Sequence, residues 1–144
     1  MSIATILPGP TLQSAASLLE SVALPASDLT EAHLEHFFFS GSHDAPTGLV
    51  GLEPCGAQVL LRSLVVAPAY RSKGIGGALV KHAETHARRL GARAVFLLTT
   101  SAEQFFIRCG YERAARDSAP NAIRNTREFA AICPASAVFM VKRL

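Results

Sequence analysis

The sequence contains few cysteines, and they are far apart. The three stand at positions 55, 109 and 133, and no Cys-x-x-Cys pair exists. A disulfide framework or a structural zinc site would need a more closely patterned set, so neither is predicted. We expect reduced thiols and no bound metal, with a separate role left open only for Cys133, which precedes Pro134.

Long apolar runs and a basic leader are also missing. No apolar stretch approaches the roughly 20 residues that a helix needs to cross a bilayer. The first residues, Met1 to Thr5, have neither the basic segment nor the apolar core of a secretory signal. We therefore expect a cytoplasmic protein with no membrane partner.

Charge is sparse and only mildly one-sided. Charged residues make up 17% of the 144 positions against 49% hydrophobic ones, which predicts a packed core and, at this length, one domain over residues 1–144. The formal net charge is +3, and the basic residues concentrate between Arg62 and Arg108 without the interleaved aromatics of nucleic-acid binders. This distribution favours a small polyanionic ligand over nucleic acid.

Residue periodicity predicts a mixed α/β fold. After a helix over 11–23, β-type runs at 36–39, 47–53 and 58–66 predict an antiparallel meander. An amphipathic helix over 74–90 and an apolar strand over 94–100 then form a βαβ crossover, whose two strands should be parallel. The other predicted elements are short helices at 27–34, between a Thr100 cap and Gly110, and at 121–132, and strands at 111–115 and 137–142.

A glycine-rich turn separates the third strand from the long helix. It reads Arg71-Ser72-Lys73-Gly74-Ile75-Gly76-Gly77. Glycine lets a backbone approach a ligand closely, and a helix start offers unpaired N–H groups and the positive end of its dipole. The turn therefore predicts an anion cradle, most often for phosphate. It matches neither the Walker pattern nor the dinucleotide-binding glycine pattern.

The turn resembles the acyl-CoA-binding signature of the GNAT acetyltransferase superfamily, Arg/Gln-x-x-Gly-x-Gly/Ala. Arg71, Gly74 and Gly76 match its specified positions, and the segment 102–111 resembles the family's Ala-x-x-Phe-Tyr-x-x-x-Gly-Phe element. The resemblance implies a GNAT fold of the α/β (α+β) class: an N-terminal antiparallel meander, a βαβ crossover with splayed parallel strands, and helices on both faces. It also implies an N-acetyltransferase that uses acetyl-CoA as co-substrate and needs no metal.

The resemblance further implies which residues contact acetyl-CoA. The pantetheine arm and thioester would lie along the backbone of Leu64, Val65 and Val66. The pyrophosphate would be held by backbone N–H groups of the turn, which comprises Arg71, Ser72, Lys73, Gly74, Ile75, Gly76 and Gly77. An amine would then attack the thioester carbonyl directly, once a base or a water path has removed its proton.

The expected catalytic groups are absent from two positions. Phe106 stands where many family members carry the tyrosine that protonates the CoA sulfur, and Leu61 stands about where the histone-modifying branch carries its glutamate base. Glu53, near the end of the preceding strand, is a candidate base; the alternative is a solvent-facing carboxylate. Tyr111 is expected in the core. Which group acts as base or acid stays open.

Arg62 and the 120–134 segment are candidates for binding the acceptor. Arg124, Thr126 or Arg127 would grip an acidic group, because a guanidinium fork suits carboxylates. The alternatives are a solvent-facing Arg62 and a surface pair between Arg124 and Glu128. Segments 61–66 and 123–134 together resemble GNATs encoded with arsenic-resistance genes. This implies a small amino compound as acceptor, such as an amino-acid-like arsenical or phosphinic antibiotic.

Three functions fit these observations. The leading one is acetyl transfer to a small amine. Because many GNAT domains dimerise, the resemblance also implies a possible homodimer. The others are acetylation of a protein or peptide, and a non-catalytic module that senses acyl-CoA. His82 and His86 share a helix side, but His-Ala-Glu-Thr-His is not the His-Glu-x-x-His zinc pattern, so we expect them at the core boundary.

Overall fold

The protein is described by a computed structural model over residues 5–24, 26–132 and 136–144. Cys133 lies outside these residues. One mixed sheet has the strand order β1-β2-β3-β4-β5-β7-β6. Its strands are β1 (Ile6–Pro8), β2 (Phe37–Gly41), β3 (Pro46–Cys55), β4 (Gln58–Val66), β5 (Ala94–Thr99), β6 (Glu112–Arg113) and β7 (Val138–Arg143). The α-helices are α1 (Leu12–Ser21), α2 (Ile75–Arg89), α3 (Glu103–Arg108) and α4 (Asn121–Arg124).

The predicted meander and crossover are confirmed. Strands β2, β3 and β4 pair antiparallel in sequence order. Strand β4 then pairs parallel with β5, and α2 connects the two. A parallel neighbour requires such a crossover, because a tight turn can join only antiparallel strands. The fold class predicted from the sequence is therefore correct.

Helices cover both faces of the sheet because side chains alternate along its strands. In β2, Phe37 and Phe39 pack in the cluster that includes α1, whereas Phe38 belongs to the cluster formed with α2. From α2, Leu79 and Ala83 are fully buried in that second cluster. A third cluster joins β4 and β7 to α4 through side chains such as Ile123.

Several short elements differ from their predictions. The segment 27–34 contains no α-helix, and only a 3₁₀ turn forms at His33–His36. The reason is local: the Thr30 N–H donates to Nδ1 of His33 at 3.0 Å instead of to a helical carbonyl. Helix α3 is not capped by Thr100; its N-cap is Ala102, whose N–H donates to Oγ1 of Thr99 at 3.0 Å.

The predicted helix over 121–132 is interrupted. Helix α4 ends at Arg124, and a π-helical turn follows at Glu128–Ile132. Between them, the Thr126 hydroxyl donates to the Ile123 carbonyl at 2.7 Å and accepts from the Phe129 N–H at 3.3 Å. The Thr126 side chain thus bonds to backbone groups of both helical segments, in place of the backbone bonds of one continuous helix. The predicted strand at 111–115 shortens to β6, and β1 was not predicted at all.

Polar side chains near the core are bonded to one another. Nδ1 of His36 lies 3.1 Å from Nε2 of His86, and the rings of His82 and His86 both meet Phe38 edge-on. Burial lowers the pKa of both helix histidines, helped at each by the charge of Arg89. Both therefore sit at the core boundary, as expected.

Within the described residues, no helix is long and apolar enough to cross a bilayer.

Gly51 in β3 provides a test of core packing. A Cβ at this position would overlap the buried ring of Phe37, whereas a Cβ at Gly77 in α2 would meet nothing within 4 Å. We expect Gly51→Ala to lower the free energy of unfolding by about 1–3 kcal/mol through overpacking. The matched Gly77→Ala should raise it by about 0.5–1 kcal/mol, because alanine loses less backbone entropy in a helix. Urea unfolding measures both, and equal effects would contradict the packing.

Candidate functional site

A cleft of about 890 Å³ opens where β4 and β5 separate. The two strands pair only over Gln58–Leu60 and Ala94–Phe96. From Leu61 to Val66, the sheet register assigns β4 no partner on β5. Backbone polar groups on this edge can therefore bond to a ligand that enters the gap, as an added strand would.

A β-bulge between β3 and β4 lies close to the point where β4 separates from β5. Leu49 pairs with Val65 and Gly51 pairs with Arg62, so two β4 residues face one residue of β3. Ser63 within the bulge has φ +60°, a left-handed conformation that is uncommon for serine. A bulge bends its strand and re-aims the side chains around it. No glycine marks this position, so the sequence carried no signal for it.

The glycine-rich turn forms the start of α2 at the mouth of the cleft. Gly74 is the N-cap with φ +82°, and no side chain caps the helix. The first turn of α2 has no acidic residue. Its leading N–H groups therefore have no helical acceptor and lie at the positive end of the dipole. This geometry suits an anion.

The predicted cofactor residues assemble around this cleft. All of them except Lys73 line it, namely Leu64, Val65, Val66, Arg71, Ser72, Gly74, Ile75, Gly76 and Gly77. Lys73 instead places Nζ 5.9 Å above the ring of Tyr70. Nε of Arg71 donates to the Val66 carbonyl at 3.0 Å, which ties the turn to the end of β4. A Cβ on Gly76 would lie 3.3 Å from the Phe105 ring, so α2 and α3 approach closely there.

The opposite wall of the cleft was not predicted. It includes the segment 22–24 after α1, and the end of β5 with the loop that follows, from Leu97 to Ala102. The run Thr99-Thr100-Ser101 is a polar sequence at the carboxyl end of an apolar strand. That position is where α/β sheets bind ligands, so this run is the signal that could have identified the wall.

Leu61 and Phe106, which replace the family's expected catalytic groups, both line the cleft. Neither side chain can exchange a proton, and their correspondence to the family's catalytic positions stays a prediction. Tyr111 does not substitute for them. It is buried, and its hydroxyl donates to Oε2 of Glu84 at 3.0 Å. Burial and the adjacent Glu84 charge raise the pKa of Tyr111, which keeps its proton in place.

Arg62 is the centre of a buried ion cluster, so the alternative of a solvent-facing Arg62 is wrong. Its side chain is fully buried. Nη1 donates to Oδ2 of Asp28 at 2.5 Å and to Oε1 of Glu53 at 2.8 Å, and Nη2 donates to Oδ1 of Asp28 at 2.8 Å. Nε donates to the Ser63 hydroxyl at 3.0 Å and lies 3.4 Å from Oε2 of Glu128.

The cluster holds its charges in place. Burial by itself would lower the pKa of Arg62, but the carboxylates of Asp28, Glu128 and Glu53 raise it. Burial would likewise raise the pKa of Asp28, yet the hydrogen bonds and charge of Arg62 hold it below its usual value. Asp28, His33 and Glu53 bring three potential metal ligands within 4.8 Å of one another. The Arg62 guanidinium already supplies the cation there.

The remaining predicted site residues are outside the cleft lining. Glu53 is paired with Arg62 and lies 3.4 Å from Nε2 of His33, with 13% of its side chain exposed, so it is not a solvent-facing carboxylate. Its role as base stays a prediction. Nη2 of Arg124 donates to the Asp117 carbonyl at 3.2 Å rather than pairing with Glu128. Arg127 is exposed.

A protein-family model described as the acetyltransferase (GNAT) domain matches residues 33–113, more than half of the chain. The chain belongs to the GNAT acetyltransferase family. The matched range contains the separated strands, the glycine-rich turn and Phe106. The family assignment made from the signature around Arg71 is therefore confirmed; membership of the arsenic-resistance branch stays a prediction.

Solved structures share the fold of this GNAT chain. N-acetylglutamate synthase from Neisseria gonorrhoeae, complexed with coenzyme A and N-acetyl-glutamate, matches with a TM-score of 0.83 at 21% identity, over 100% of this chain and 36% of that one. An acetyltransferase of the GNAT family from Staphylococcus aureus matches with a TM-score of 0.78 at 15% identity, over 99% of both chains.

Curated relatives match over a shorter range. An amino-acid acetyltransferase from Ralstonia nicotianae is 40% identical over 57 residues, which is 40% of this chain and 13% of the relative. One from Pseudomonas syringae is 39% identical over 62 residues, 43% of this chain and 14% of the relative. The chain thus spans about one seventh of the length of these relatives.

The Asp28–Arg62 pair predicts how stability depends on pH. The pKa of Asp28 is lowered in the folded state, so its contribution is present above the unfolded value of 3.8 and is lost as pH falls through the folded value. We expect Asp28→Asn to cost about 1.5–3 kcal/mol at pH 7, because Arg62 loses its charged, two-point hydrogen-bond partner and keeps only Glu53 and Glu128. The difference from the wild-type protein should shrink below about pH 4.

Denaturant unfolding between pH 3 and pH 7 measures this prediction. Asp117→Asn is the matched control, since Asp117 is exposed. A constant difference between wild type and Asp28→Asn across this range would contradict the pairing.

Proposed function

We propose that this chain is a single acetyl-CoA-dependent N-acetyltransferase domain whose acceptor is a small amine. One observation carries the proposal: the uncapped, acid-free start of α2 opens into the same cleft as the unpaired edge of β4. A pyrophosphate at the helix start and an extended arm along β4 would both find hydrogen-bond donors and acceptors. The cleft volume of about 890 Å³ is within the usual range for cofactor sites.

In this proposal, the glycine-rich turn and β4 bind different parts of acetyl-CoA. Backbone N–H groups from Arg71 to Gly77 bind the pyrophosphate, with Gly74 supplying the left-handed turn. The backbone of Leu64 to Val66 binds the pantetheine arm and orients the thioester. From Val66 back to Arg62 is four residues, or about 13 Å of strand. The reacting end of the cofactor therefore lies toward Arg62 and Leu61.

The reaction is direct acetyl transfer. The acceptor nitrogen attacks the thioester carbonyl carbon, so a C–N bond forms, the C–S bond breaks and CoA leaves as a thiolate. The amine proton passes to a base or to water, and the thiolate takes up a proton. Phe106 and Leu61 can do neither, and Glu53, paired with Arg62, is the predicted base. Proton transfer through water in the cleft is the alternative.

The acceptor class rests on two kinds of similarity. The relatives from Ralstonia nicotianae and Pseudomonas syringae are amino-acid acetyltransferases, which supports an amine-bearing metabolite. The resemblance of segments 61–66 and 123–134 to GNATs encoded with arsenic-resistance genes supports an amino-acid-like arsenical or phosphinic compound. A non-catalytic acyl-CoA sensor is the alternative function, because Phe106 cannot protonate the CoA sulfur. Such a sensor would acetylate neither class of acceptor.

The release of CoA thiol from acetyl-CoA tests transfer. We expect amine-dependent release with at least one member of a panel of amino acids, amino-acid amides, simple amines, phosphinic amino acids and arsenical amino acids. Mass spectrometry should identify the N-acetylated product. Tight CoA binding with no release on any amine would overturn the enzyme in favour of the sensor. Turnover of a lysine-containing peptide alone would favour the protein acetyltransferase.

Gly74 tests the cofactor site with a matched control. Gly74 and Gly91 both have a left-handed φ, +82° and +84°, and a Cβ at either meets nothing within 4 Å. Glu at either position pays the same backbone strain of about 1–2 kcal/mol. Only Gly74→Glu places a carboxylate where the pyrophosphate would bind, so we expect its dissociation constant for acetyl-CoA to rise at least about tenfold, or ~1.4 kcal/mol.

Calorimetry on both variants gives the answer. Gly91→Glu, at the far end of α2, should bind acetyl-CoA as the wild-type protein does. Equal affinity in Gly74→Glu and Gly91→Glu would contradict a pyrophosphate site at the turn.

A further inference from the structure

Glu128 is the acidic residue, among the described residues, that lines the cleft. It also contacts the ion cluster, because its Oε2 lies 3.4 Å from Nε of Arg62. Only 9% of its side chain is exposed. Glu128 therefore places a carboxylate, largely shielded from bulk water, on the cleft surface beside Arg62.

Arg62 is poorly suited to bind an anionic group of the acceptor, although it lines the same cleft. Its Nη1 bonds to two carboxylates, its Nη2 bonds to Asp28, and its Nε bonds to Ser63 and faces Glu128. An incoming carboxylate would have to displace one of these partners. Displacement would leave a buried carboxylate without its cation, which is costly.

Negative charge exceeds positive charge in the ion cluster that lies behind Glu128 at this end of the cleft. Among the described side chains around Arg62, the carboxylates of Asp28, Glu53 and Glu128 face one guanidinium. The formal charge of the cluster is therefore negative, whether or not His33 is counted as a cation. Such a cluster attracts a cation and repels a second anion, more strongly than exposed charges would, because the groups are buried.

We propose that Glu128 binds the ammonium group of the acceptor and makes this end of the cleft selective for acceptors with net positive charge. Arg62 is then a positioning residue that holds Glu128 at the cleft. This inference rests on the proposed function and narrows its acceptor to amines without an adjacent anionic group, which disfavours the amino-acid-like arsenical or phosphinic compound. A carboxylate next to the reacting amine would be brought toward the same acidic cluster. A simple amine or an amino-acid amide should therefore bind better than the corresponding amino acid.

Two ligands that differ in one charged group test this selectivity. L-leucine amide and L-leucine share the amine and the side chain, but only L-leucine carries the adjacent carboxylate. We expect the wild-type protein, saturated with CoA, to bind the amide at least about tenfold more tightly by calorimetry. CoA cannot react, so the measurement is independent of turnover and separates this inference from the proposed transfer.

Variants assign the selectivity to Glu128. Glu128→Gln should bring the ratio of the two dissociation constants close to one, while Glu128→Asp should keep most of the preference. Asp28→Asn removes another carboxylate from the same cluster, but Asp28 does not line the cleft, so the ratio should fall less than in Glu128→Gln. Thermal unfolding and CoA affinity confirm that each variant is folded.

Three results would overturn the inference. They are an unchanged ratio in Glu128→Gln, an equal loss of the ratio in Asp28→Asn and Glu128→Gln, and no binding of L-leucine amide to the wild-type protein. If Asp28→Asn does not fold, Glu128→Asp and Glu128→Gln are compared instead, and equal ratios in these two variants would overturn the inference. Absence of CoA release in the transfer assay would overturn the proposed function instead.

Discussion

The separation of β4 from β5 is the constraint on which the candidate site depends. The strands pair over three residues each and then diverge at the bulge around Ser63. If the parallel ladder continued, β5 would take up the edge hydrogen bonds of β4 from Leu61 to Val66, and no cleft would form. Because the ladder stops, one edge of β4 is open to a ligand, and the start of α2 faces the same space. The proposed cofactor site is thus made mainly of backbone.

The acceptor end is built differently, from side chains that meet across the fold. Arg62 on β4 contacts Asp28 before the His33–His36 turn, Glu53 on β3 and Glu128 after α4. These contacts link segments that are distant along the chain, and they bring the segment after α4 to the cleft through Glu128. The same contacts occupy the guanidinium of Arg62. Without them, an arginine at this position would favour an anionic acceptor. A buried arginine surrounded by carboxylates and a free arginine therefore lead to opposite conclusions about the ligand.

Local patterns were sufficient for much of the fold and for the turn. The 58–66 strand, the meander and the long helix after Gly74 follow from periodicity and from the left-handed conformation that glycine allows, and the structure contains all of them. The less successful predictions concern short polar segments. At Thr30 and Thr126, a side chain or a backbone group finds a nearby hydrogen-bond partner that competes with a regular helix. Such competition depends on individual contacts rather than on periodicity.

By itself, the sequence determined the family, through Arg71, Gly74 and Gly76 and the strand and helix that flank them. Those residues act through backbone conformation over a few positions, which a linear pattern records directly. Only the tertiary structure decided that β4 and β5 diverge, that Arg62 is buried among carboxylates, and that Glu128 rather than Arg124 faces the cleft. Each of these depends on which distant segments meet, and burial then decides whether a charge is exposed to a ligand or already neutralised.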